Sequence, residues 1–76
     1  MNKPESETAG PVVLRRGLRV LGVLRQAGAA GMHVVDIARA AGMQRSTAYR
    51  YLDVLVEEGY ALRESEAPRW RIAELG

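Results

Sequence analysis

The segment Gln44-Arg45-Ser46-Thr47-Ala48-Tyr49-Arg50 gathers two guanidinium groups, an amide, two aliphatic hydroxyls and a phenol within seven residues, with no acid among them. That set suits a polyanion. Arginine neutralises phosphate and can fork onto a guanine edge, while amide and hydroxyl groups bond to phosphate, sugar or base. It does not suit catalysis. The chain holds one histidine, His33, no cysteine, no phosphate-cradling glycine-rich loop and no histidine near a nucleophile in the sequence. No catalytic residue is assigned, and the expectation is a protein that is not an enzyme. With no second His or Cys near His33, neither a metal nor a cofactor is expected.

A helix has to present these groups. At helical spacing Ala48, Leu52, Leu55 and Val56 form an apolar back with Tyr51 at its margin. Ser46, Arg50, Asp53 and Glu57 then point the other way, flanked by Arg45 and Tyr49. The predicted helix starts at Gln44 or Arg45, runs to Glu58 and closes at Gly59. Its first turn carries the positive end of the dipole and unpaired N–H groups, both attractive to phosphate oxygens. Ser46 and Thr47 can equally well satisfy those N–H groups themselves. The acids Asp53, Glu57 and Glu58 begin only beyond the second turn.

The neighbouring segments supply a scaffold. Residues 1–10 are polar, aperiodic and contain Pro4, which reads as a mobile arm. A first helix is expected from Pro11 to Ala27, stopped by Gly28-Ala29-Ala30-Gly31. Its apolar residues span roughly 240°, against little more than 100° for a single core-facing stripe, so part of that surface calls for a second partner. Met32 suits a short strand, and His33–Ala41 reads as a short helix with Val34, Ile37, Ala38 and Ala41 on one face. After the link Gly42-Met43 comes the helix described above. The period then changes from 3.6 to 2. Tyr60 and Leu62, followed by Trp70 and Ile72 beyond a turn at Glu64–Pro68, predict a hairpin with those four residues inward. The resulting fold class is mainly α with a small β-hairpin: a winged helix-turn-helix of three helices plus a wing, occupying residues 11–76.

Length and charge agree with that reading. A chain of 76 residues buries about 60–65% of its unfolded surface, enough for one small core and too little for a deep cleft between subdomains. No apolar run approaches the roughly 18 residues a membrane span needs, and the N-terminal stretch lacks the apolar segment of an export signal. A cytoplasmic protein with no membrane partner is expected. The formal net charge of +2 conceals an asymmetry. Residues 11–51 carry seven arginines against Asp36 alone, a net +6, whereas residues 52–76 carry three arginines against six acids, a net −3. One basic face is thus set to meet a polyanion.

The run from Leu18 to Ile72 resembles the N-terminal DNA-binding domain of the IclR family of bacterial transcriptional regulators. The carrying segments are Leu18–Leu24, Asp36–Met43, Arg45–Leu52, Leu55–Tyr60 and Arg69–Ile72. The resemblance implies a regulator that binds operator DNA as a dimer, with the recognition helix in the major groove and the wing along the backbone. It assigns the family's basic-Ser-Thr opening to Arg45, Ser46 and Thr47, its helix arginine to Arg50, and its wing strand to Arg69–Ile72. With the residue reading, the DNA-contacting set becomes Gln44, Arg45, Ser46, Thr47, Tyr49, Arg50, Arg69 and Arg71. In the family the first helix also pairs two such domains, and Val13, Val20, Val23 and Ala27 are assigned to that homodimer contact.

Two departures stand out. The wing turn Glu64-Ser65-Glu66-Ala67-Pro68 carries two acids and a proline where the family pattern tends to glycine and basic residues, leaving Arg63, Arg69 and Arg71 as wing candidates. Family members usually continue into a C-terminal effector-binding domain, whereas this sequence stops at Gly76. The expectation is a piece of a longer regulator or a stand-alone module without a small-molecule sensor. Two functions follow: sequence-specific binding of double-stranded DNA, or a winged helix turned to protein–protein contact that modulates another regulator. The acidic wing and the wide apolar face of the first helix motivate the second.

Overall fold

The computed structural model describes residues 4–66 and 68–73, with side chains from Pro11 onward. Three helices are α1 (Pro4–Ala27), α2 (Val34–Ala41) and α3 (Arg45–Glu57); three short strands are β1 (Met32–His33), β2 (Ala61–Arg63) and β3 (Arg69–Ile72). The order and the mainly α composition are those expected from the sequence.

The largest difference lies at the start. Helix α1 begins at Pro4 rather than Pro11, so residues 4–10, read as an arm, have helical backbone. Residues 1–3 of that arm lie outside the described residues. Proline's fixed φ and missing N–H cost nothing in the first turn of a helix, which favours Pro4 as a start. Pro11 instead sits inside the helix and forgoes the bond to the carbonyl four residues earlier. The helix therefore carries a weak point at its own predicted beginning.

The core is small and shared by the three α-helices, β2 and β3, with Met32 of β1 packed against it. Val20 and Leu24 of α1, one turn apart, meet Val34, Ile37, Ala38 and Ala41 of α2, Ala48 and Leu52 of α3, Ala61 of β2 and Trp70 of β3. All four apolar positions read from α2 are buried, as its spacing predicts. On α3 the buried pair is Ala48 and Leu52, with Tyr51 and Leu55 half-buried against the core; Val56, assigned to the buried back from its spacing, is exposed. It lies in the last turn, beyond the reach of the packed elements.

Two glycines set the joints. Gly42 adopts a left-handed conformation (φ 72°) and ends α2, while the Met43 N–H bonds back to the Ala38 carbonyl at 3.0 Å and the Gly42 N–H to Arg39 at 3.2 Å. That paired closure caps the helix and aims the chain into α3. Gly31 (φ 73°) precedes β1 where the backbone passes β3: an added Cβ would lie 2.9 Å from the Trp70 carbonyl. A side chain there would push the two strands apart.

The hairpin belongs to a three-stranded antiparallel sheet in the order β1-β3-β2. Met32 pairs with Trp70, while Ala61 and Arg63 pair with Ile72 and Trp70. Directly opposed residues share a face, so Ala61 and Arg63 lie on the side of Trp70 and Ile72. This corrects the expected phase: Tyr60 and Leu62 are exposed, Tyr60 by 52%, and Ala61 is buried instead. A shift of one residue reverses every side chain of a strand, and three residues of β2 carry too little alternation to fix it.

Candidate nucleic-acid interface

The link Gly42-Met43-Gln44 delivers α3 with Gln44 at its N-cap in an extended conformation and no side-chain cap bond. The first turn thus keeps its N–H groups for an outside acceptor. Gln44, Arg45, Ser46 and Arg50 are all exposed around it, and Thr47 is half-buried. Ala48, at 0% exposure, fixes the opposite side of the helix to the core. The result is a rigid helix end with two arginines, an amide and a hydroxyl facing solvent. Among the described residues neither Arg45 nor Arg50 has a salt-bridge or hydrogen-bond partner.

Tyr49 is placed differently from its neighbours. Its ring stands edge-on to Trp70, with centroids 5.6 Å apart at 71°, yet 41% of the residue remains exposed. It both packs against the wing and faces out beside Arg50.

The wing arginines are occupied. The Arg71 Nε donates to Glu64 Oε2 at 2.6 Å. One Arg69 terminal nitrogen donates to the Ala30 and Gly31 carbonyls at 3.3 and 3.4 Å. The Arg63 guanidinium lies over the Trp70 ring, 5.4 Å from its centroid. Each links parts of the fold to one another, a use that sequence reasoning missed. Opposite charges seven residues apart across a turn were the available signal for the first.

Beside this interface α1 and α3 enclose an apolar groove of about 450 Å³, lined by Val13, Leu14, Leu18, Tyr51, Val54 and Tyr60 among others. Of the four residues assigned to a dimer contact, Val13 lies in the groove and is 63% exposed. Val20 is corrected: at 0% exposure it packs within its own chain and offers a second copy nothing. Val23 is half-buried against the same core, and Ala27 is half-buried. Leu14 and Leu18, both within the over-wide apolar arc, also line the groove and are exposed.

A helix pair joined by a three-residue turn, its second helix exposed at the N-terminus and flanked by a hairpin, defines a winged helix-turn-helix. The sequence profile of the IclR helix-turn-helix domain matches residues 13–65, and the chain belongs to that family. Two solved structures are similar. One is the ORF112-Zalpha domain of Cyprinid herpesvirus 3, whose structure concerns its binding mode to Z-DNA: TM-score 0.69 and 29% identity, covering 76% of this chain and 92% of that one. The other is a MarR family transcriptional regulator from Silicibacter pomeroyi, with TM-score 0.68 and 26% identity. That match covers 91% of this chain but 48% of the regulator, so this chain spans about half its length. No curated protein sequence matches significantly. Family and neighbours together support a DNA-binding domain of a transcription regulator. Among the described residues no helix is long and apolar enough to cross a membrane.

Proposed function

We propose that the chain binds double-stranded DNA sequence-specifically, as a non-enzymatic module of a cytoplasmic transcription regulator, with the N-terminal half of α3 in a major groove. The observation that carries this reading is the exposed, uncommitted Arg45 and Arg50 on a helix end whose back is locked by Ala48 and Leu52. A groove about 12 Å wide admits one such helix. Arg50 reads a base edge, Arg45 and Ser46 bond the backbone, and Gln44 and Thr47 complete the first-turn contacts. Arg69 and Arg71, engaged within the fold, are left out of the proposed phosphate contacts. Selection of bound duplexes from a random pool tests the reading. The expected product is one preferred half-site, bound with an affinity whose logarithm falls steeply with log salt, corresponding to about 4–6 neutralised phosphates per chain. A flat salt titration with no enriched sequence would overturn it.

Specific affinity from so small a head calls for two copies about 34 Å apart on DNA, or a multiple of that. The reading therefore includes a homodimer formed through Val13, Leu14 and Leu18, the exposed residues of α1 that line the groove. Leu18→Glu is expected to sediment as a folded monomer, whereas Val20→Glu loses the fold. A Leu18→Glu dimer would remove this face from the reading.

A second reading concerns the form of the duplex. It is favoured by the match over 92% of the viral domain that binds Z-DNA. Mixing the protein with an alternating d(CG) duplex separates the two: inversion of the near-ultraviolet circular dichroism indicates left-handed binding, and an unchanged spectrum with an enriched half-site indicates the groove-reading mode.

A further inference from the structure

The Tyr49–Trp70 contact joins the exposed face of α3 to a core residue of the wing. Trp70 is 2% exposed and held on several sides: Met32 and Arg63 flank it in the sheet, and the Arg63 guanidinium covers its ring. Its edge contact restricts the Tyr49 ring, and Tyr49 is exposed, as are Arg45, one turn earlier on the same face, and the adjacent Arg50. Among the described residues no hydrogen bond engages that hydroxyl. A ring restrained by such a contact has less rotamer freedom left to lose, so a bond from its hydroxyl forms at reduced entropic cost.

We propose that Trp70 is a positioning residue for DNA recognition: it holds the Tyr49 hydroxyl against one phosphate of the duplex and so fixes the register in which Arg45 and Arg50 meet the groove. This inference rests on the duplex-binding reading above. A neutral hydroxyl displaces no counterion, so it contributes to register without contributing to salt dependence. The wing then serves recognition from behind the contact, as a brace.

The test is a double-mutant cycle on the full chain with Tyr49→Phe, Trp70→Phe and the pair. It is read by binding to a duplex selected from a random pool and to a scrambled duplex of equal length. Tyr49→Phe keeps the ring edge and removes only the hydroxyl, and is expected to weaken the selected duplex about threefold to tenfold. The scrambled duplex should lose a similar factor, because a phosphate contact carries no sequence information, with the salt slope unaltered. In the Trp70→Phe background the same hydroxyl removal should cost less than twofold, because the phenol is no longer held in place. Thermal melting supplies the structural control: Tyr49→Phe should leave the midpoint of both backgrounds unchanged. A wild-type chain that binds no duplex overturns the duplex reading and this inference with it. If wild type binds but Tyr49→Phe costs the same factor in both backgrounds, or nothing in either, Trp70 has no positioning role while the duplex reading stands. A loss confined to the selected duplex would overturn the phosphate assignment of the hydroxyl.

Discussion

The start of α3 and the wing carry the same kind of side chain to opposite ends. Arg45 and Arg50 stand exposed on a helix whose other face is buried, with no partner among the described residues. Arg63, Arg69 and Arg71 are each engaged within the fold, by an indole ring, two backbone carbonyls and a carboxylate. A guanidinium in contact with its own protein keeps a sheet of two- to four-residue strands in register. One without such contacts keeps its whole donor set for a ligand. Counting arginines therefore overstates the basic surface of the wing and describes the helix end fairly.

The sharpest way to break this contrast is at Trp70. Replacing it with alanine should destabilise the domain by about 3–5 kcal/mol, since a fully buried indole that meets α3, β1 and Arg63 is lost, and melting or denaturant unfolding reads the effect directly. A small change would mean the wing is not a structural element. Next comes Arg50→Ala, expected to leave the melting midpoint in place while weakening duplex binding by about 1–3 kcal/mol, with relaxed preference at one base position. A uniform loss across sequences would make Arg50 a phosphate contact instead.

The reciprocal change in the wing should be smaller and of the other kind. Arg71→Ala removes a half-exposed ion pair and should cost at most about 1 kcal/mol of stability, with the salt slope of binding nearly unchanged. A drop of about one in that slope would show that Arg71 reaches phosphate despite Glu64. Smallest of all is Asp36→Asn, which breaks an exposed pair 3.8 Å apart within α2 and should shift stability by no more than a few tenths of a kcal/mol. A larger shift would place α2 in a role that the contrast between helix end and wing leaves out.

Elements with strong periodicity were read well from sequence. The four apolar positions of α2 and the Gly42 stop left no competing arrangement, and the exposed face of α3 followed from Ala48 and Leu52 alone. Two of the features that escaped show why. The phase of β2 turned on whether Ala61 or Tyr60 and Leu62 faced inward, and apolar content favoured the larger pair. On α1, Val13 and Val20 share a helix face seven residues apart, yet one is exposed and the other fully buried. Helical spacing gives a residue's direction and says nothing about whether another element lies in that direction.

By itself, then, the sequence determined the order of elements, the helix-turn-helix joint and the basic helix start, because these depend on local spacing, on glycine's access to positive φ and on residue type. Only the tertiary structure decided which apolar residues of α1 remain uncovered, which face of β2 is inward and which arginines are spoken for. Those are properties of pairs brought together from distant parts of the chain: Arg69 with Ala30, Tyr49 with Trp70, Arg63 with the same ring. No period within one segment encodes where its neighbour will end.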